Sequence, residues 1–257
     1  MAYSLDIKTC FLRMGNDSIE NANPMNINNN YRKVLHYAME CLEYTKPVEG
    51  FGDAVAYTTR PWVLLFCSSR KPIETAISHI FIENKGDGPN KRILLQDIRL
   101  CYVKNIHELR AILASIHLSP NSETKTDIIS WIHQEKQGQP PSFVCVMDLL
   151  ELLLGSDGTF DPDIPSNDRH LYIRFDQLAN ILALLTETCS YLDNQAKIWE
   201  QPFGHSTRLT TLLVTDNGCL LSLPEGQQKG KLSQPNNNGK VLETLYQIIV
   251  YYLGNIV

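Results

Sequence analysis

The sequence predicts an α/β fold, a mostly parallel sheet flanked by helices. Three observations carry it. Apolar runs of strand length alternate with amphipathic stretches of helical spacing, the order produced when each strand returns through a helix. The run Phe143-Val-Cys-Val-Met147 is apolar without interruption, as a strand buried on both faces must be. The run Trp62-Val-Leu-Leu-Phe66 passes through a polar turn into a second helical pattern, repeating the same unit. Right-handed crossovers then place helices on both faces of the sheet.

Taken in order, residues 1–20 are weakly patterned, and the asparagine-rich stretch Asn21–Asn30 reads as a flexible linker. From Tyr31 to Lys46, apolar residues at Val34, Leu35, Ala38, Met39 and Leu42 have helical spacing, and Pro47 and Gly50 end the helix. Residues 1–50 therefore read as an N-terminal extension with one helix. The core is expected over 51–225, followed by a polar loop and apolar segment over 226–257.

Within the core, the strand WVLLFC precedes a helix from Pro72 to Ile82, with proline suited to a first turn. KGDGPN reads as a loop, and RILLQDI with IRLCYV as a strand pair or one bent strand. Asn105 is placed to cap the helix IHELRAILASIHL, with Glu108 three residues on at capping-box spacing. Residues 121–137 form a polar insertion. A strand ending at Asp148 follows, then DLLELLL, then a long helix from Arg169 to Gln195. The run from Arg208 to Leu223 reads as a hairpin turning at Asp216-Asn-Gly218. The C-terminal run VLETLYQIIVYYLGNIV is apolar but short and interrupted by Glu243, Gln247 and Asn255, which fits a buried element or partner-binding face better than a membrane span.

At 257 residues the chain can bury a substantial core, and its net charge of −5 offers no global attraction for nucleic acid. DNA contact would need a local basic patch or a basic partner. The seven cysteines are scattered without a CxxC pair, so they read as reduced buried thiols rather than zinc ligands. The N-terminus lacks the basic and apolar regions of a signal peptide. No HExxH or GxSxG pattern supports a metalloenzyme or a serine hydrolase.

The strand-turn-helix at Cys67-Ser-Ser-Arg-Lys-Pro-Ile-Glu-Thr75 occupies the place of a phosphate-binding P-loop. Such a loop needs glycines to bring backbone N–H groups round the phosphates, a lysine for charge and a hydroxyl for magnesium. Here there is no glycine, Pro72 lacks an N–H, and Glu74 would repel phosphate. Lys71 and Thr75 lie near the required positions but out of register. Asp148, ending an apolar strand, matches the acid that would hold magnesium. Lys71, Thr75 and Asp148 are thus vestigial nucleotide-binding candidates, with no catalytic residue and no resident metal or cofactor expected. The stretch from Gly226 to Ser233 approximates a P-loop one residue short and leads into Gln-Pro-Asn rather than a helix. It reads as a solvated loop whose Lys229 and Lys231 could meet a DNA backbone.

The blocks Ile98-Arg99-x-x-Tyr102, Glu108-Leu109-x-x-Ile112-Leu113 and His117, followed by Pro141-Ser142, Asp148, Leu150-Glu151 and Leu154, resemble the small RecA-like recombinase paralogue that partners the SWIM-domain protein in the Shu complex. The resemblance spans roughly residues 60–195. It implies a RecA-like core, a nuclear role in homologous-recombination DNA repair, a heterodimer with the SWIM-domain protein, and support of recombinase filaments on single-stranded DNA. ATP and magnesium binding are in doubt because the P-loop is degenerate. Recombinases and their partners join through Phe-x-x-Ala, and Phe51 with Ala54 stand at that spacing just upstream of the core. Single-strand binding would fall to Arg169, Arg174, Lys229 and Lys231, or to the partner. Two other readings stand beside this one: a weak DNA-dependent ATPase using Lys71 and Asp148, and a RecA-like scaffold in an assembly unrelated to DNA.

Overall fold

The computed structural model describes residues 9–13, 24–44, 61–83, 88–117, 136, 138–154, 173–200, 210–216 and 237–254. Five strands, β1 (Thr9–Arg13), β2 (Val63–Cys67), β3 (Ile98–Tyr102), β4 (Phe143–Val146) and β5 (Thr211–Asp216), form one sheet in the order β1-β5-β4-β2-β3. Every pairing is parallel. Among the described residues seven helices accompany them: α1 (Pro24–Tyr44), α2 (Arg70–Glu83), α3 (Gly88–Gln96), α4 (Ile106–Ile116), α5 (Leu149–Leu154), α6 (Phe175–Glu200) and α7 (Asn237–Leu253). The α/β class and the flanked parallel sheet expected from the sequence are therefore present.

The central strands are apolar throughout because both of their faces are covered. Val63, Leu65 and Cys67 of β2, with Phe143 and Cys145 of β4, pack beneath α1 and α2 on one face. Leu64 and Phe66, with Val144 and Val146, pack against α4, α5, α6 and α7 on the other. β3, at the sheet's end, has no fully buried residue.

Several local expectations change. The asparagine-rich stretch expected as a linker is helical from Pro24, the opening of α1, and proline is tolerated in a helix's first turn. The N-terminal segment also supplies β1, which pairs with β5 at the edge of the sheet opposite β3. KGDGPN and RILLQ, read as loop and strand, form α3 from Gly88, and only Ile98–Tyr102 is extended. A short apolar run cannot by itself distinguish strand from buried helix. Arg208–Leu223 contains β5, which runs parallel to both neighbours; the returning strand of the expected hairpin lies outside the described residues. The C-terminal run is α7, which buries Leu245, Ile249 and Leu253. Among the described residues no helix is long and apolar enough to cross a membrane.

Candidate functional site

In a parallel sheet, ligands bind outside the carboxyl ends of strands where neighbouring connections leave to opposite faces. β2 and β4 are such neighbours. β2 leads to α2 beneath one face and β4 leads to α5 beneath the other. The Met147 amide donates to the Phe66 carbonyl at 2.9 Å, carrying the ladder one residue past β4. Asp148 therefore falls beside the exit of β2.

Asp148 is fully buried and adopts a left-handed backbone (φ 58°), a region that aspartate tolerates better than most residues. Its carbonyl accepts from the Leu152 amide at 3.0 Å, so the same residue opens α5. On the side-chain carboxylate, Oδ2 accepts a short hydrogen bond from the Tyr31 phenol of α1. The Ser68 hydroxyl makes a longer contact with the same oxygen at 3.4 Å. Below them, the Cys67 thiol lies 3.8 Å from the Met147 sulfur.

The electrostatics follow from burial. Tyr31 is buried among apolar side chains, which pushes its phenol far above its ordinary 10.0. The charge of Asp148, the hydrogen bond to it and the charge of Glu151 push the same way. Tyr31 is thus a proton donor at any physiological pH. Burial, helped by Asp148, also pushes the Cys67 thiol up to about 12, and Cys145 is raised well above its ordinary value. Both sulfurs are neutral thiols, poor nucleophiles and poor metal ligands.

The other sequence candidates have partners of their own, are exposed, or lie outside the described residues. Lys71 is exposed on the first turn of α2, and the Thr75 hydroxyl turns back to donate to the Lys71 carbonyl at 2.9 Å. Arg70 forms an exposed ion pair with Glu74 one turn on, with its guanidinium 6.0 Å from the Tyr102 ring centroid. Arg174 is exposed and pairs with Asp176 at 2.8 Å at the entrance to α6. Phe51, Ala54, Arg169, Lys229 and Lys231 lie outside the described residues, as does nearly all of the 121–137 insertion.

Two features of this arrangement oppose a magnesium nucleotide. The Asp148 oxygen Oδ2 already accepts the Tyr31 hydroxyl, and the opening turns of α2 carry Pro72 and Glu74 where phosphate needs N–H groups and positive charge. Tyr31 and Ser68 were not legible as site residues. The one available signal was that Tyr31 extends the buried stripe of α1 backwards by one turn, and a phenol in such a stripe requires a polar partner. No protein-family model matches the chain, and no curated protein matches it.

Proposed function

We propose that the chain is a non-catalytic RecA-like recombinase paralogue acting in homologous-recombination DNA repair in the nucleus. In this reading it pairs with a SWIM-domain protein, and the pair stabilises recombinase on single-stranded DNA. The observation that carries the non-catalytic part is the Tyr31–Asp148 contact. A parallel α/β core keeps an acid at the end of a central strand, yet that acid's carboxylate is engaged by the protein's own phenol. The glycine-free turn after β2 supports the same conclusion. A fold that retains a sheet of this kind without its chemistry acts through its surfaces. The recombination partners rest on the family resemblance, since fold alone does not fix function.

The test is co-expression with SWIM-domain and recombinase proteins, tandem purification, and a single-strand DNA mobility shift at two salt concentrations. A stable complex that shifts DNA more than any one chain, with a salt-dependent affinity, supports the proposal. A chain that ignores both partners overturns it and favours a scaffold unrelated to DNA. Magnesium-dependent ATP hydrolysis lost in Asp148→Ala would instead establish the weak ATPase.

A further inference from the structure

From the misfit between this crevice and a magnesium nucleotide, we infer that Tyr31 is a resident plug: its phenol holds the Asp148 oxygen that a cation's water would take, turning the carboxylate into a fastener between α1 and the end of β4. The inference shares with the proposed function only the reading of the crevice as non-catalytic, and is independent of the recombination partners.

The crevice does not lack negative potential. The Asp148 carboxylate is buried there, with the Ser68 hydroxyl 3.4 Å from its Oδ2. Carboxylate and hydroxyl are both oxygen donors of the kind a hard divalent cation takes. What stands in the way is the phenol. Its hydrogen bond to a carboxylate is of the charge-assisted class, which is stronger than a neutral one. The ring is also held by packing. Tyr31 shares the buried stripe of α1 with Val34, Leu35, Ala38, Met39 and Leu42, all packed over β2 and β4.

Manganese alone is the probe, read by thermal melting and by loss of its free-ion resonance signal on binding. The wild-type chain is expected to bind no manganese. Tyr31→Ala is expected to bind it and to melt higher in its presence, and adding Asp148→Asn to that variant should abolish both effects. Tyr31→Phe keeps the ring and removes only the donor, so it reports even if the alanine variant does not fold. It should melt lower than wild type, and combining it with Asp148→Asn should lower the midpoint no further than the worse single change. Manganese binding by wild type that is lost in Asp148→Asn would overturn the plug. A folded Tyr31→Ala that ignores manganese would overturn it too, as would additive melting losses in the double variant. Partner capture by the same proteins is scored separately: its failure bears on the proposed function and leaves these readings intact.

Discussion

Lys136 Nζ lies 3.0 Å from Asp97 Oδ1, and the two side chains are only 12% and 13% exposed. The pair joins the residue before β3 to the approach to β4 at the amino end of the sheet. The Asp97 carbonyl meanwhile accepts from the Val63 amide at 2.9 Å. One residue thus anchors the edge strand by backbone and the β4 approach by charge. Removing one partner of a largely buried pair strands the other, at a cost of about 2 kcal/mol after discounting for the remaining exposure. Lys136→Met should shift the urea midpoint down accordingly. Changing Asp97→Leu in the same protein should recover part of the loss, and a midpoint unmoved by Lys136→Met would show that solvent already screens the pair.

The start of α4 offers a cap that can be tested alone. Asn105 Oδ1 accepts from the Glu108 amide at 3.0 Å, in an extended residue immediately before the helix. The Glu108 carboxylate accepts from the Lys104 amide at 2.7 Å, one residue beyond the Asn105 amide that the capping box names. Asn105→Ala should cost about 1 kcal/mol, and Asn105→Asp almost nothing, because aspartate caps as well and suits the positive end of a helix. Chemical denaturation of the two variants side by side makes the comparison, and equal losses would mean that the cap is not what holds this end.

What could be read from the sequence divides along the range of the interactions. The cap of α4 is a contact over three residues, and β4 is a continuous apolar run; both carry their signal in adjacent letters. β1 has only five residues, with one paired neighbour, and its extended state is set by β5 roughly two hundred residues further on. α3 holds the apolar run Ile93-Leu-Leu95, equally suited to a strand until tertiary packing decides. The Tyr31–Asp148 contact spans 117 residues, and only the folded sheet brings its halves together. The acid was visible because strand ends are visible; its partner was not.

Trp62 binds the amino end of the sheet in the same long-range way. Its indole Nε1 donates to the Gln139 carbonyl at 2.9 Å across 77 residues, and its own carbonyl accepts from the Ser142 amide at 3.0 Å. The ring is fully buried. Trp62→Phe leaves a buried carbonyl without its donor and a small void where the larger ring stood. The expected loss is about 2 kcal/mol, the sum of an unsatisfied acceptor and modest underpacking. Equilibrium unfolding followed by far-ultraviolet circular dichroism reads it without relying on the removed fluorophore. A loss below about 0.5 kcal/mol would mean that water or another donor reaches the Gln139 carbonyl.

The buried thiols set an alkaline limit on stability. Desolvation first, then the charge of Asp148, raises Cys67 from its ordinary 9.0 to about 12, and burial raises Cys41 to about 11. Groups raised in the folded state hold their protons after the unfolded chain has lost them. Their contribution is therefore complete below pH 9 and is lost as pH climbs from there through 11 to 12. In that window each such group removes about 1.4 kcal/mol of stability per pH unit. Tyr31 adds to the slope above its ordinary 10.0, again because its phenol is raised. The urea midpoint should hold steady from pH 7 to 8.5 and then fall steeply. Cys67→Ala should make that fall shallower while lowering the midpoint at neutral pH through the small cavity it leaves. A wild-type midpoint that stays flat to pH 10.5 would mean that Cys67 ionises as readily in the folded chain as in the unfolded one, and that the floor beneath Asp148 is open to water.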